Sequence, residues 1–152
     1  LLRARGFSAD DFARSHPGGK LGRRLLLQVR DIMHIDERLP RVPVDSSLVA
    51  ALLEMSDKGL GMTAVVDDAG RVLGVFTDGD LRRVIARGID LNRTRIGEVV
   101  HRSPHTTDAD RLAAEALKQM EDARTNGLLV LDADQRLIGA PSMHDLLKAG
   151  VV

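Results

Sequence analysis

The sequence predicts an α/β fold (α+β in the sense of short sheets and separate helices) of two β-α-β-β-α repeats with pseudo-twofold symmetry. Three observations predict it: an internal repeat, an apolar helical stripe in each copy, and a pair of short apolar strands after each stripe. At a shift of 65 residues Leu52, Met55, Asp67 and Gly74 fall on Leu117, Met120, Asp132 and Gly139. Thr77 and Asp80-Leu81 fall on Ser142 and Asp145-Leu146. Upstream, Val29–Met33 resembles Ile96–Val100 at a shift of 67, which implies a shorter loop in copy two.

The elements follow in order. Short amphipathic turns open the copies at Asp31–Met33 and Gly97–Val100, and extended stretches follow at Leu39–Pro43 and Pro104–Thr107. A helix then starts at Ser46/Ser47 in copy one and near Asp108/Asp110 in copy two, all good N-cap residues. Leu48, Ala51, Leu52 and Met55 share one helix face, as do Ala113, Ala116, Leu117 and Met120, and these stripes read as core. Strands at Thr63–Asp67 and Val72–Thr77 flank the turn Asp68-Ala69-Gly70, and Leu128–Asp132 and Leu137–Ser142 repeat them. Pro141 has no N–H for a ladder, so its strand is expected to be distorted or at an edge. The closing helices are Asp80–Arg87, ended by Gly88, and His144–Lys148 before Gly150. A single copy cannot bury its sheet, so the two are expected to pack sheet to sheet around a cleft. The expected organisation is a leading segment over 1–28, repeat one over 29–92 and repeat two over 93–152.

Composition removes several classes of function. Hydrophobic residues make up 43% of the 152 and charged residues 29%, which is ordinary globular usage. There is no cysteine, so disulfides, thiol catalysis and cysteine–zinc sites are excluded. The three aromatic residues, Phe7, Phe12 and Phe76, are too few for a base-stacking platform, and no nucleic-acid partner is expected. No apolar run approaches a membrane span and no signal peptide is visible, so the expected location is the cytoplasm, away from membranes. The five histidines lack the helical pairing of a zincin, and no metal is expected. Net charge is zero, yet residues 1–30 carry seven basic and two acidic residues, read as a solvated linker. The chain begins on Leu1 within what reads as a helix end, so a fragment of a longer protein is expected.

The tandem pattern Gly–(apolar)2–Thr/Ser–x–x–Asp–Leu resembles a pair of CBS domains, a Bateman module, over residues 30–152. Ala4–Met33, Gly61–Val66, Phe76–Arg83 and Ser142–Val152 resemble the bacterial D-arabinose 5-phosphate isomerase family across the whole chain. In that family a sugar-isomerase (SIS) domain precedes the CBS pair. The resemblance implies that residues 1–28 are the end of that domain and its linker, and that this chain is a regulatory part of the enzyme, not itself catalytic. His16, in the turn-forming SHPGG, matches a proposed catalytic histidine of the family and is carried over as a residue of the parent enzyme only.

A hydroxyl at a strand end and free N–H groups at a helix start make an anion site, and Thr77 and Asp80 supply both with a carboxylate able to accept from a ribose diol. CBS resemblance implies the same division, phosphate on Thr77 and ribose on Asp80. Ser142 and Asp145 repeat it in copy two, with His144 beside them. The alternative is that each pair only caps its helix. Arg82 and Arg83 follow on the same helix, and one of them, taken as Arg83, is a candidate for a bidentate anion contact. Met62 and Thr63 open a strand beside the cleft, and Val42 lies in the stretch that lines the base pocket of CBS modules through backbone groups. His34 and His101 are equivalent positions and read as structural or exposed. No cofactor is expected. The expected partners are a nucleotide or nucleotide-sugar, the SIS domain and a second copy in a homodimer. The family stands at the start of Kdo synthesis for lipopolysaccharide, so feedback logic points to CMP-Kdo. An adenine nucleotide, or a ligand-free oligomerisation module, is the alternative.

Overall fold

The computed structural model describes residues 26–151, so the expectations for the chain before them, His16 included, lie outside the described residues. The elements are α1 (Val29–Ile32), β1 (Arg41–Pro43), α2 (Leu48–Lys58), β2 (Met62–Val66), β3 (Val72–Thr77) and α3 (Asp78–Ala86), then β4 (Thr106–Thr107), α4 (Ala113–Ala123), β5 (Leu129–Leu131), β6 (Leu137–Gly139) and α5 (Met143–Lys148). Single 3-10 turns lie at Asp36–Arg38 and Ile96–Glu98. Each copy forms a three-stranded sheet, ordered β1-β2-β3 and β4-β5-β6, in which the first pair is parallel and the second antiparallel.

The two sheets meet through Met62, Ala64 and Val75 of one and Leu129 and Leu137 of the other, with Leu39, Leu60 and Ala140 completing this shared layer. Behind it each copy has its own core. In copy one Leu48, Ala51 and Met55 of α2 pack on Val65, Phe76 and Val84. In copy two Ala113, Ala116, Leu117 and Met120 of α4 pack on Leu128, Val130 and Leu146. Both stripes predicted from the helical period are therefore core.

The segments that open the copies are exchanged, which the repeat pattern did not reveal. Val29, ahead of copy one, is fully buried in the core of copy two. Ile96, ahead of copy two, is fully buried in the core of copy one. His34 exchanges both backbone hydrogen bonds with Ala140 at 3.1 Å, and His101 does so with Val75 at 2.9 and 3.1 Å. Each leader thus extends the other copy's sheet. The Leu27 carbonyl accepts from Ala113 N–H at 2.7 Å, so Leu27 and Gln28 dock on copy two rather than lie in a free linker.

Three local expectations are corrected. Helix α3 starts two residues before Asp80, with Thr77 as N-cap, because Thr77 and Asp80 close a capping box. Helix α4 is capped by neither Asp108 nor Asp110. Its N-cap is Leu112, whose N–H is taken by Glu115 at 3.2 Å, while Leu27 receives the next N–H. Strand β6 ends at Gly139 because Pro141 offers no N–H; Pro141 still accepts from Leu128 N–H through its carbonyl at 3.1 Å.

Candidate functional site

Strand β3 runs into α3 at Thr77, and this junction lies on the cleft between the copies. The Thr77 hydroxyl accepts from Asp80 N–H at 3.2 Å and donates to Asp80 Oδ2 at 3.1 Å, while Thr77 N–H donates to the same oxygen at 2.9 Å. Arg83 pairs with Asp80 Oδ1, one turn along the helix. The capping alternative raised by the sequence is thus realised. The same geometry leaves an exchange open on the guanidinium side, because Arg83 is 70% exposed and water screens its pair with Asp80, whose own side chain is 13% exposed. A diol that replaces the guanidinium on Oδ1 loses little and frees Arg83 for an anion.

The cleft has two lobes. One lobe, about 190 Å³, is lined by Met62, Val75, Thr77, Asp80 and Arg83 of copy one and by His101, His105, Arg124, Thr125, Gly127 and Leu129 of the crossing leader and copy two. The other, about 400 Å³, adds Gly61, Asp78, Gly79 and Arg82. Met62, Thr77, Arg83, Arg124, Thr125 and Gly127 line both, so the lobes are one cavity of a size that small-molecule sites occupy.

Met62, Thr77, Asp80 and Arg83 are brought together as the sequence suggested. Thr63 and Val42 are not. Successive strand residues face opposite sides, so when Met62 faces the cleft Thr63 turns inward, fully buried, its hydroxyl on the Ala64 carbonyl at 3.1 Å. Val42 packs in the core of copy one with Leu48 and Phe76 and lines neither lobe.

Copy two repeats the motif with a different partner. Ser142 caps α5, accepting from Asp145 N–H at 3.1 Å and donating to Asp145 Oδ2 at 3.0 Å. His34, 8% exposed, hydrogen-bonds the same Oδ2 through Nε2. Burial pushes the Asp145 carboxyl up, but the bonds from His34 and Ser142 and the positive potential of His34 and His144 outweigh it, and the net shift is downward. His34, Ser142, His144 and Asp145 line a separate open hollow with Leu60, Met143 and Leu147. The equivalent His101 is exposed and makes no bond to Asp80.

Sequence reasoning missed His34, His101 and Arg124 as site residues. The first two carried a signal, their equivalence, but only the exchanged leaders say which carboxylate each approaches. Among the described residues no group of three or more His, Asp or Glu is placed to hold a metal ion.

Two sheets of this order, each closing helix opening on a hydroxyl–carboxylate pair and each leader crossing to the other copy, define a tandem α/β module of two interlocked half-domains. The CBS domain model matches residues 29–87 and 96–151, and the chain belongs to the CBS domain family. Over all 152 residues it is 58% identical to arabinose 5-phosphate isomerase KdsD of Pseudomonas aeruginosa (strain PAO1) and 53% identical to that of Yersinia pestis. It spans 47% and 46% of those proteins, about half the length of the curated relatives it matches. Among solved structures, CBSX2 in complex with AMP superposes with a TM-score of 0.70 at 23% identity, over 82% of this chain and 96% of that one. The CBS domain pair of MJ0100, in complex with 5'-methylthioadenosine and S-adenosyl-L-methionine, gives 0.70 at 20% identity, over 81% and 94%. These two likenesses establish the fold. No helix among the described residues is long and apolar enough to cross a membrane.

Proposed function

We propose that this chain is the regulatory module of a cytoplasmic arabinose 5-phosphate isomerase and binds one nucleotide in the inter-repeat cleft of copy one. The observation that carries the reading is the two-lobed cavity where Thr77, Asp80 and Arg83 face residues of copy two, so that a ligand there touches both copies. The base enters beside Met62 and Gly127, the ribose diol takes Asp80 Oδ1 from Arg83, and the freed Arg83 takes the phosphate. Adenosine compounds in two structural neighbours of the same fold support a nucleotide as the class. In the parent enzyme the reaction interconverts ribulose 5-phosphate and arabinose 5-phosphate, with His16 serving the SIS domain. CMP-Kdo is the effector that feedback logic favours. The module joins a second copy through the exposed apolar residues of its helices.

Calorimetric titration of the chain with AMP, CMP and CMP-Kdo tests this. One site per chain is expected, and Asp80→Ala weakens it by about 10- to 150-fold, the equivalent of about 1.5–3 kcal/mol for a hydrogen bond to a charged group. Binding by none of the three leaves the oligomerisation module as the reading. Unchanged affinity in Asp80→Ala, or loss only in Asp145→Ala, moves the site elsewhere.

A further inference from the structure

The chain has two asparagines, Asn92 and Asn126, and both are exposed. Asn92 precedes Arg93, whereas Asn126 precedes Gly127. Asparagine is a thermolabile residue, because the backbone nitrogen of the next residue can attack its side-chain Cγ. The attack needs a nitrogen that is free of hydrogen bonds and unhindered, beside an amide that nothing holds. The fold meets these conditions at Asn126.

Gly127 and Ser142 form an isolated antiparallel bridge. Its bonds belong to the flanking residues: Met143 N–H donates to the Asn126 carbonyl at 2.8 Å, and Leu128 N–H to the Pro141 carbonyl at 3.1 Å. Gly127 is thus in a non-hydrogen-bonded pair of the ladder, and its own N–H points away from Ser142. Among the described residues that N–H donates to no acceptor, while the Gly127 carbonyl accepts from the Thr125 hydroxyl at 3.2 Å. The Asn126 side-chain amide makes no hydrogen bond among the described residues either. Glycine also leaves the nitrogen unshielded, and the packing demands glycine here, since an added Cβ would stand 2.6 Å from Met62 Cε. At Asn92 the next nitrogen belongs to Arg93, whose Cβ and side chain hinder the approach.

We infer that Asn126–Gly127 is a self-modification site, at which the folded chain deamidates and places a carboxylate on the rim of the cleft. The Gly127 nitrogen bonds to Asn126 Cγ, the Cγ–Nδ2 bond breaks, and the proton lost from Gly127 leaves on ammonia. A water molecule then opens the cyclic imide. Cleavage between the nitrogen and Cγ gives aspartate, and cleavage between the nitrogen and the backbone carbonyl carbon gives isoaspartate, whose main chain runs through Cγ. Nothing is oxidised or reduced. Both products replace a neutral amide with an anion in the lobe that Arg82, Arg83 and Arg124 line. The inference does not depend on what the cleft binds.

The test ages the folded chain in mildly alkaline buffer below its melting temperature, with a parallel sample in urea. Trypsin digestion and mass spectrometry then read both asparagines, in peptides 125–136 and 88–93. In the folded sample Asn126 is expected to convert about tenfold or more faster than Asn92, a ratio that a small difference in barrier height supplies. Aspartate and isoaspartate should both appear at position 126, and faster as pH rises, because the Gly127 nitrogen must lose its proton. Ion exchange of the intact protein should show an acidic species that is absent from Asn126→Gln, whose longer side chain has to close a larger ring. Conversion in urea with none in the folded chain overturns the inference. Equal rates at Asn92 and Asn126, or an acidic species that persists in Asn126→Gln, also overturn it.

Discussion

Replacing Asp145 with Asn separates a carboxylate with a buried charged partner from the matching one whose partner is exposed. Asp145 accepts from the buried His34 ring and from the Ser142 hydroxyl, and its side chain is 25% exposed against 9% for His34. Hydrogen bonds to charged groups contribute about 1.5–3 kcal/mol each, and Asn keeps the volume and one acceptor oxygen, so Asp145→Asn is expected to cost about 2 kcal/mol. For a chain of this size that lowers the melting temperature by about 4–8 °C. The matched change Asp80→Asn is expected to cost less, because the Asp80 side chain is 13% exposed but its charged partner Arg83 is 70% exposed and screened by water, whereas the partner of Asp145 is the buried His34. The pH dependence has a fixed sign. The folded Asp145 carboxyl lies below its ordinary value of 3.8, so the folded state takes up that proton less readily than the unfolded chain. Its stabilisation is complete well above that value and is lost as pH falls through it toward the lowered folded value. Urea denaturation of parent and variant from neutral pH downward should show the gap closing below about pH 4. A gap that widens there, or an Asp80→Asn cost above that of Asp145→Asn, refutes the reasoning.

The exchange of leaders can be probed at two glycines. A Cβ on Gly74 would collide with the His101 backbone carbonyl, which the cross-repeat ladder holds, whereas on Gly139 it would meet the flexible end of Met33. Gly74→Ala is therefore expected to cost about 2–3 kcal/mol and Gly139→Ala about 1 kcal/mol, measured by thermal melts; equal costs would refute a fixed ladder at His101. The proposed assembly rests on Leu53, Ile85 and Leu147, which are 67%, 57% and 54% exposed on three helices. Sedimentation equilibrium at micromolar concentration is expected to give twice the monomer mass, falling to the monomer in Leu53→Glu/Ile85→Glu, and a monomeric parent rules the assembly out.

The elements and cores were legible because each rests on a local period. Leu48, Ala51 and Met55, and Ala113, Ala116, Leu117 and Met120, share faces that only a helix can bury, and the structure buries them. Val72–Thr77 was read to the residue, since apolar β-formers end there at a capping hydroxyl. The start of α4 was misread because two aspartates in its approach compete as caps, while tertiary contacts from Leu27 and Glu115 decide the point. The placement on the cleft was legible for Thr77, Asp80 and Arg83, which follow one another at helical spacing of three residues. It was not legible at Arg124, whose part depends on the opposite copy's position.

What the repeat pattern hid is the exchange itself, and the exchange is what makes the copies unequal. A shift of 65 or 67 residues states that His34 and His101 are equivalent, and a pattern of equivalence cannot say whether each serves its own copy. With leaders crossed, His34 meets Asp145 and His101 stands by Asp80. One histidine is buried against its carboxylate and the other is exposed beside a carboxylate held by Arg83. A ligand for copy two must displace a desolvated imidazole, which leaves a buried polar ring to satisfy again. A ligand for copy one displaces a guanidinium that returns to water at little cost. The same motif, repeated in register, is therefore set differently in its two places: in copy two it fastens the leader to the sheet, and in copy one it leaves a carboxylate oxygen open to exchange.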